Sequence, residues 1–341
     1  MSTPTRPGKV GIREVAVAAG VSQGSVSHYL NHPDRVSADK ARRIQDAIDQ
    51  LGFVRNNAGR QLRLGQSSTI AYLVPDVSNP FFASLAEGVE VAAARAGLAV
   101  FIANSNRDRA REDSYLELFQ EHGVRGMLVA SPNPIEDRLA AIRARGIPSV
   151  LVGQRASTPE QPSVSIDDVS GGYLAARHLI EAGCRRLAFV GGPLRIRQVA
   201  DRLQGASAAI REEPGVTLEI IDVSSRIIAE GHEVAEAIVD RDPAARPDGV
   251  FAVNDLLAIG MVQTLVARGV RVPDELALVG YDDIEYAGSS IVPLTSVRPP
   301  HEEFGEAALD LLLAVSSDTE PPESTQLVFP PELVVRASTR R

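Results

Sequence analysis

The residues at positions 21 to 31, VSQGSVSHYLN, bring serines, an amide and an imidazole onto one short helical pattern. With Val21, Val26, Tyr29 and Leu30 turned inward, the outward set is Gln23, Gly24, Ser27 and His28. A helix of about ten residues fits the major groove of DNA, where side chains near its start reach base edges while its amide end and serines hold phosphate. The competing reading is the polar face of a small helical bundle. Gly20-Val21-Ser22-Gln23-Gly24 also matches the GxSxG nucleophile elbow, but that geometry requires a β-strand before the serine, and the residues here carry a helical pattern. No HExxH, phosphate loop, EF-hand loop or GxGxxG occurs, and His301-Glu302-Glu303 lacks the second histidine a zinc site needs. Neither catalysis nor a cofactor is expected. The lone cysteine, Cys184, excludes an intramolecular disulfide and any CxxC site, which fits a reducing, cytoplasmic setting.

Charge sharpens the nucleic-acid reading. The chain carries a net charge of -9 over 341 residues, yet residues 1 to 66 hold ten Lys and Arg against five acids, leaving 25 basic and 39 acidic groups in the remainder. A segment of +5 on a body of -14 is the pattern of a basic nucleic-acid arm joined to an acidic domain. Residues 15 to 33 lack formal charge but contain too many serines, amides and glycines to span hydrocarbon. The short apolar run from Val15 to Val21, abutted by Glu14, fits helical spacing better than a secretory signal.

Positioning these groups requires several elements. Ile12, Val15, Ala16 and Ala19 share a helical face that Gly20 can end, and Ser22 can cap the next helix. Ser37 can cap a third, carrying Ala41, Ile44, Ile48 and Leu51, with Gly52 as its stop. Residues 53 to 68 read as a linker with a short helix around Asn57 to Leu62. From Thr69 onward the runs TIAYLVP, LAVFIA, GMLVA, SVLVG, RLAFVGG, LEIIDV, GVFAVN and LALVGYD alternate with amphipathic helical segments. Alternation of that kind means parallel sheet covered by helices, as two doubly wound lobes or one barrel. A coarse similarity between the two halves favours two lobes. At 341 residues, two or three domains are expected.

The runs IREVAVAAGVSQGSVSHYLN, RVSADKARRIQDAIDQLGF and RNNAGRQLRLG, followed by IAYLVPDVSNPFF, FAVNDLLAIG and LALVGYDD, resemble the lactose-repressor (LacI/GalR-type) transcription regulators over nearly the whole chain. The resemblance implies an all-α helix-turn-helix headpiece at 1–55 and a hinge helix with linker at 56–67. It further implies a periplasmic-binding-protein-like sensor of two doubly wound parallel-sheet lobes, one at 68–166 plus about 298–322, the other at 167–297 plus about 323–341. DNA contacts are then implied for Ser22, Gln23, Gly24, Ser25, Ser27, His28 and Asn31. His28 falls where many members carry an arginine, and a histidine offers one donor or acceptor where arginine would grip guanine with two. In the hinge, Leu62 matches the leucine that wedges into the minor groove, with Asn57, Arg60 and Arg63 beside it, while Gly59 weakens helix propensity by about 1 kcal/mol.

In the sensor the resemblance implies ligand contacts from Asn79, Phe81, Arg202, Asn254 and Asp282. An aromatic face with Arg, Asn and Asp suits a polyhydroxylated ring, so the implied effector is a sugar or sugar derivative. Two departures bear on that ligand. Gly153-Gln154 stands where many members place an aspartate, and Ala130 where some sugar binders have a polar residue. The expected protein is a cytoplasmic, homodimeric repressor of a carbohydrate-utilisation operon that releases or recruits a palindromic operator on binding its effector, with no membrane partner. An activator, or a sensor of a nucleobase or other metabolite, is the nearest alternative. A solute-binding protein without DNA function would not need the basic headpiece.

Overall fold

The computed structural model describes residues 10–53, 67–316 and 324–340. It comprises two compact units, Met1–Gln66 and Ser67–Arg341.

In the first unit, α1 (Ile12–Ala19), α2 (Gln23–Asn31) and α3 (Ala38–Leu51) enclose a core of Val15, Ala16, Ala19, Val26, Ile44 and Ala47. Gly20 turns the chain out of α1 at φ 63° and Gly52 ends α3 at φ 59°, both in the left-handed region that suits glycine. Arg43 donates from α3 to the carbonyls of Ala19 and Gly20, at 2.5 and 2.9 Å, so a cation satisfies the exposed carbonyl end of α1. Two expectations change. Ile12 is exposed rather than inward, and Ser37 sits at the start of α3 without making a side-chain capping bond.

The second unit contains two six-stranded sheets. The first half of the chain supplies β1 (Thr69–Val74), α4 (Pro80–Arg95), β2 (Ala99–Asn104), α5 (Arg109–Glu121), β3 (Met127–Val129), α6 (Glu136–Arg143), β4 (Ser149–Val152) and β5 (Ser163–Ile166). There follow α7 (Asp168–Glu181), β6 (Arg186–Val190), α8 (Arg197–Arg211), β7 (Thr217–Ile221), α9 (Ile228–Val239), β8 (Gly249–Ala252), α10 (Asp255–Ala267), β9 (Ala277–Tyr281), α11 (Glu285–Ser289) and β10 (Thr295–Arg298). The chain closes with α12 (His301–Val315), β11 (Gln326–Phe329) and β12 (Glu332–Val334). The strand orders are β11-β5-β4-β3-β1-β2 and β12-β10-β9-β8-β6-β7, and every pairing is parallel except β10 with β12.

Both sheets therefore reverse direction at the same place, between β1 and β3 in one and β6 and β8 in the other. That is the switch point where open α/β sheets bind ligands beyond their strand ends. The lobe boundary expected near 322 is corrected, because Gln326–Phe329 pairs in register with Ser163–Ile166 in the first sheet. The last crossing thus falls between Phe329 and Glu332. Among the described residues no helix is long and apolar enough to cross a membrane.

Candidate functional site

The candidate DNA-contacting surface of the first unit rests on a capped helix. Ser22 precedes α2 in an extended conformation, and its Oγ accepts the Ser25 amide at 3.1 Å while lying 2.9 Å from the Ser25 hydroxyl. Val26 is buried against the core and Tyr29 donates its hydroxyl to Gln45 at 2.9 Å, which fixes the helix's rotation. That rotation leaves Ser22, Gln23, Gly24 and His28 exposed. Ser27, expected outward, is half-buried, as is Ser25, because both lie on the shoulder of the helix next to Val26. Asn31 turns its amide back to the Ser27 carbonyl at 2.6 Å, closing the last turn of α2. Asn57, Arg60, Leu62 and Arg63 lie outside the described residues.

The second unit holds an open cleft between its lobes, and Asn79, Phe81, Arg202, Asn254 and Asp282 all line it. They arrive on loops and helix starts beyond the strand ends. Asn79 follows β1 and caps α4, its Oδ1 accepting the Phe81 amide at 3.1 Å. Phe81 is largely buried, packed edge-on against Phe82 and His301, so Phe82 shares the aromatic wall. Asn254 follows β8, caps α10 through the Leu257 amide at 3.1 Å and donates to the Arg226 carbonyl at 3.0 Å.

Arg202, expected as a ligand contact, lines the cleft but is itself buried. Its Nε donates to Asp168 at 2.7 Å, one terminal nitrogen donates to the Val253 carbonyl at 2.5 Å, and the other lies 3.7 Å from Asp282. The guanidinium carbon sits 3.4 Å from the Tyr281 ring centroid, a cation–π contact. The position depends on close helix packing: a Cβ on Gly172 of α7 would fall on the Arg202 carbonyl oxygen, so only glycine lets α8 approach this near. Burial alone would lower the Arg202 pKa, but Asp168, Tyr281 and Asp282 outweigh it and raise it.

Asp282 holds a left-handed backbone at φ 97°, a conformation that costs a non-glycine residue free energy and needs support from its surroundings. Support comes from the Asp282 amide bonded to the Val297 carbonyl at 2.9 Å and from Asp283, which is gripped by Arg298 and Arg336. Burial pushes the Asp282 carboxyl up to about 7 against the pull of Arg202.

Residues not expected as ligand contacts lie in the cleft or beside it. Asp76 and Arg107 pair across the first lobe, and Gln198 of α8 reaches over to the Gly153 carbonyl at 3.0 Å. His301, at the start of α12, donates Nε2 to the Asp282 carbonyl at 2.8 Å, a second link between lobes. Arg226, after β7, donates to the Gly192 carbonyl at 2.9 Å. Ala130 and Gly153, the two departures noted above, also line the cleft.

A helix-turn-helix unit followed by a two-lobed α/β unit with an interlobe cleft defines a ligand-sensing DNA-binding protein. Residues 11–56 match the family described as bacterial regulatory proteins, lacI family, and residues 176–339 match the periplasmic binding protein-like domain. The chain is 32% identical to the HTH-type transcriptional regulator DegA of Bacillus subtilis (strain 168) over 97% of its own length and 98% of the relative's. It is 31% identical to the ribose operon repressor of the same organism, over 97% and 98% of the two chains. The chain belongs to the lacI family of bacterial regulatory proteins, and like its relatives it is a transcriptional regulator, not an enzyme. Among solved structures it is similar to the transcriptional regulator CelR in complex with cellobiose, at 30% identity and TM-score 0.71, covering 96% of this chain and 99% of that one. A lac repressor dimer bound to operator shares the fold at TM-score 0.84 and 23% identity, covering 97% and 99%.

Proposed function

We propose that this regulator is a cytoplasmic homodimeric repressor of carbohydrate-utilisation genes, gated by a small polyhydroxylated metabolite held in the interlobe cleft. Residues 1–55 serve as the headpiece and 56–67 as the hinge, with Gln23, Gly24 and His28 at the base edges and Asn57, Arg60, Leu62 and Arg63 supplying hinge contacts. The observation that carries the reading is the convergence of Asn79 and Phe81 from one lobe with Arg202, Asn254 and Asp282 from the other in one cleft. A ligand touching both sets favours the closed arrangement, and only such differential affinity can alter operator binding. The cellobiose complex of CelR supports a carbohydrate ligand for this fold. Two-fold symmetry of the dimer requires a near-palindromic operator.

Selection of bound sequences from random DNA by the full-length protein tests the headpiece. A palindromic consensus is expected, and His28→Arg should change the preferred base at one position of each half-site, with discrimination of about 1 to 3 kcal/mol. Recovery of no consensus would contradict the reading.

A further inference from the structure

The cationic groups of the cleft are unevenly partnered. The lining includes three arginines, Arg107, Arg202 and Arg226, against two aspartates, Asp76 and Asp282. Arg202 is committed inward to Asp168, Val253 and Tyr281, and Arg107 is paired with Asp76. Arg226 differs from both. Its bond to the Gly192 carbonyl engages one of its terminal nitrogens, and among the described residues no carboxylate lies within ion-pair distance of it. Partial burial lowers its pKa to about 10, the like charges of Arg107 and Arg202 add to that and Asp282 opposes it, so it remains protonated at neutral pH. A partly buried guanidinium with no ion-pair partner, balanced only at longer range by Asp282, is costly to keep, which makes it a functional candidate.

Topology makes the arrangement more specific. Arg107 follows β2 and Arg226 follows β7, the equivalent outer strands of two sheets with the same order. The two guanidinium groups therefore approach the cleft from opposite lobes at matching positions and repel one another across it. Arg107 holds a left-handed backbone at φ 61°, next to Asn106 at φ 53°, so its placement is maintained against local strain. Gln198 adds a buried Oε1 with no hydrogen-bond partner, an acceptor suited to a ligand hydroxyl.

We infer that the effector is a hydroxylated small molecule bearing an oxyanion, a carboxylate or a phosphate monoester, bound by Arg226 with Arg107 opposite. This rests on the effector-gated reading above and names the ligand class of that same site. An oxyanion between the two arginines replaces repulsion across the open cleft with attraction from both sides. Charge neutralisation thereby draws the lobes together, and a neutral sugar of the same shape lacks that force.

Calorimetry on the full-length protein provides the test, with D-glucose and D-ribose as neutral probes, and D-gluconate, D-glucuronate and the monophosphates of glucose and ribose as anionic ones. At least one anionic probe should bind roughly tenfold or more tightly than its neutral parent, and Arg226→Gln should remove that advantage while Arg226→Lys keeps part of it. Circular dichroism melts of each variant check folding, and Arg107→Gln, on the other lobe, should weaken the same probe independently. Binding confined to neutral probes, no anionic binding at millimolar concentration, or anionic binding unchanged in both glutamine variants overturns the inference. Operator titration separates the two readings. A neutral sugar that shifts operator affinity overturns the oxyanion and leaves gating intact, whereas an anion that binds through Arg226 without shifting operator affinity supports the oxyanion and contradicts gating.

Discussion

The two walls of the cleft stand on sheets of the same strand order, yet they hold their polar groups in different ways. On the second lobe, Arg202, Asp168, Asn254 and Asp282 are each no more than 9% exposed and are bonded to one another or to backbone. On the first lobe, the Asp76–Arg107 pair retains 14% and 32% of its side-chain exposure and sits on loops. Burial would raise the Asp76 carboxyl, but bonds from Ser78 and the charge of Arg107 hold it below the usual carboxylate range. Around Arg202 the second wall is thus a closed, bonded socket, whereas the Asp76–Arg107 pair of the first wall is left partly open to solvent. Pre-organised groups bind with less ordering cost, so under the proposed reading the second wall would set a ligand's orientation while the first registers its occupancy.

The strongest challenge to that contrast is a matched pair of arginine substitutions. Arg202→Met strands two buried carboxylates and should cost about 3 to 5 kcal/mol, whereas Arg107→Met breaks a partly exposed pair and should cost about 1 kcal/mol or less. Urea unfolding of both variants gives the comparison, and equal losses would erase the distinction between the walls.

Next comes the pH dependence of the socket. The unfolded Asp282 carboxyl ionises near 3.8, whereas the folded one keeps its proton until about 7. Folding therefore takes up a proton between these values, so this group's stabilising contribution falls as pH rises through the window and levels off above it. Asp168 and Asp255, also raised by burial, act in the same direction. Asp282→Asn should flatten part of the fall in Tm across the window without abolishing it. An unchanged profile would show that Asp282 is already ionised in the folded protein.

The smallest effect expected separates two asparagines that both cap helices. Asn79→Ala removes one capping bond, at about 1 kcal/mol. Asn254→Ala removes a cap and also the bond to the Arg226 carbonyl in a buried site, for about 2 kcal/mol. Hydrogen exchange at the first turns of α4 and α10 would sharpen the comparison, because loss of protection should extend into the Arg226 loop only for Asn254→Ala.

The sequence-to-structure relation follows the same division. The eight apolar runs read as strands all form strands, because each is a β-rich run bounded by turn residues. Ser163–Ile166 and Thr295–Arg298 were not legible, since serines and threonine interrupt their apolar character and their burial comes from neighbours at the lobe crossings. The final strands, Gln326–Phe329 and Glu332–Val334, join different sheets although only two residues separate them, a division that no local pattern announces. Motif residues Asn79, Phe81, Arg202, Asn254 and Asp282 were legible as a set through resemblance and meet in the cleft. Arg107 and Arg226 were not, because each belongs to a loop whose approach to the cleft depends on the folded sheet. An arginine shortly after each outer strand was the only available signal, and surface loops carry many arginines.

Occupancy of the cleft must change operator binding if the two walls work as a sensor. Fluorescence-anisotropy titration of the selected operator with full-length protein, with and without a saturating ligand from the calorimetric panel, measures this directly. The wild type should shift operator affinity by roughly tenfold or more, the size of a typical coupling free energy, and Asp282→Ala should lose the ligand-dependent shift. Identical operator affinity with and without bound ligand, or a normal response from Asp282→Ala, would contradict the account.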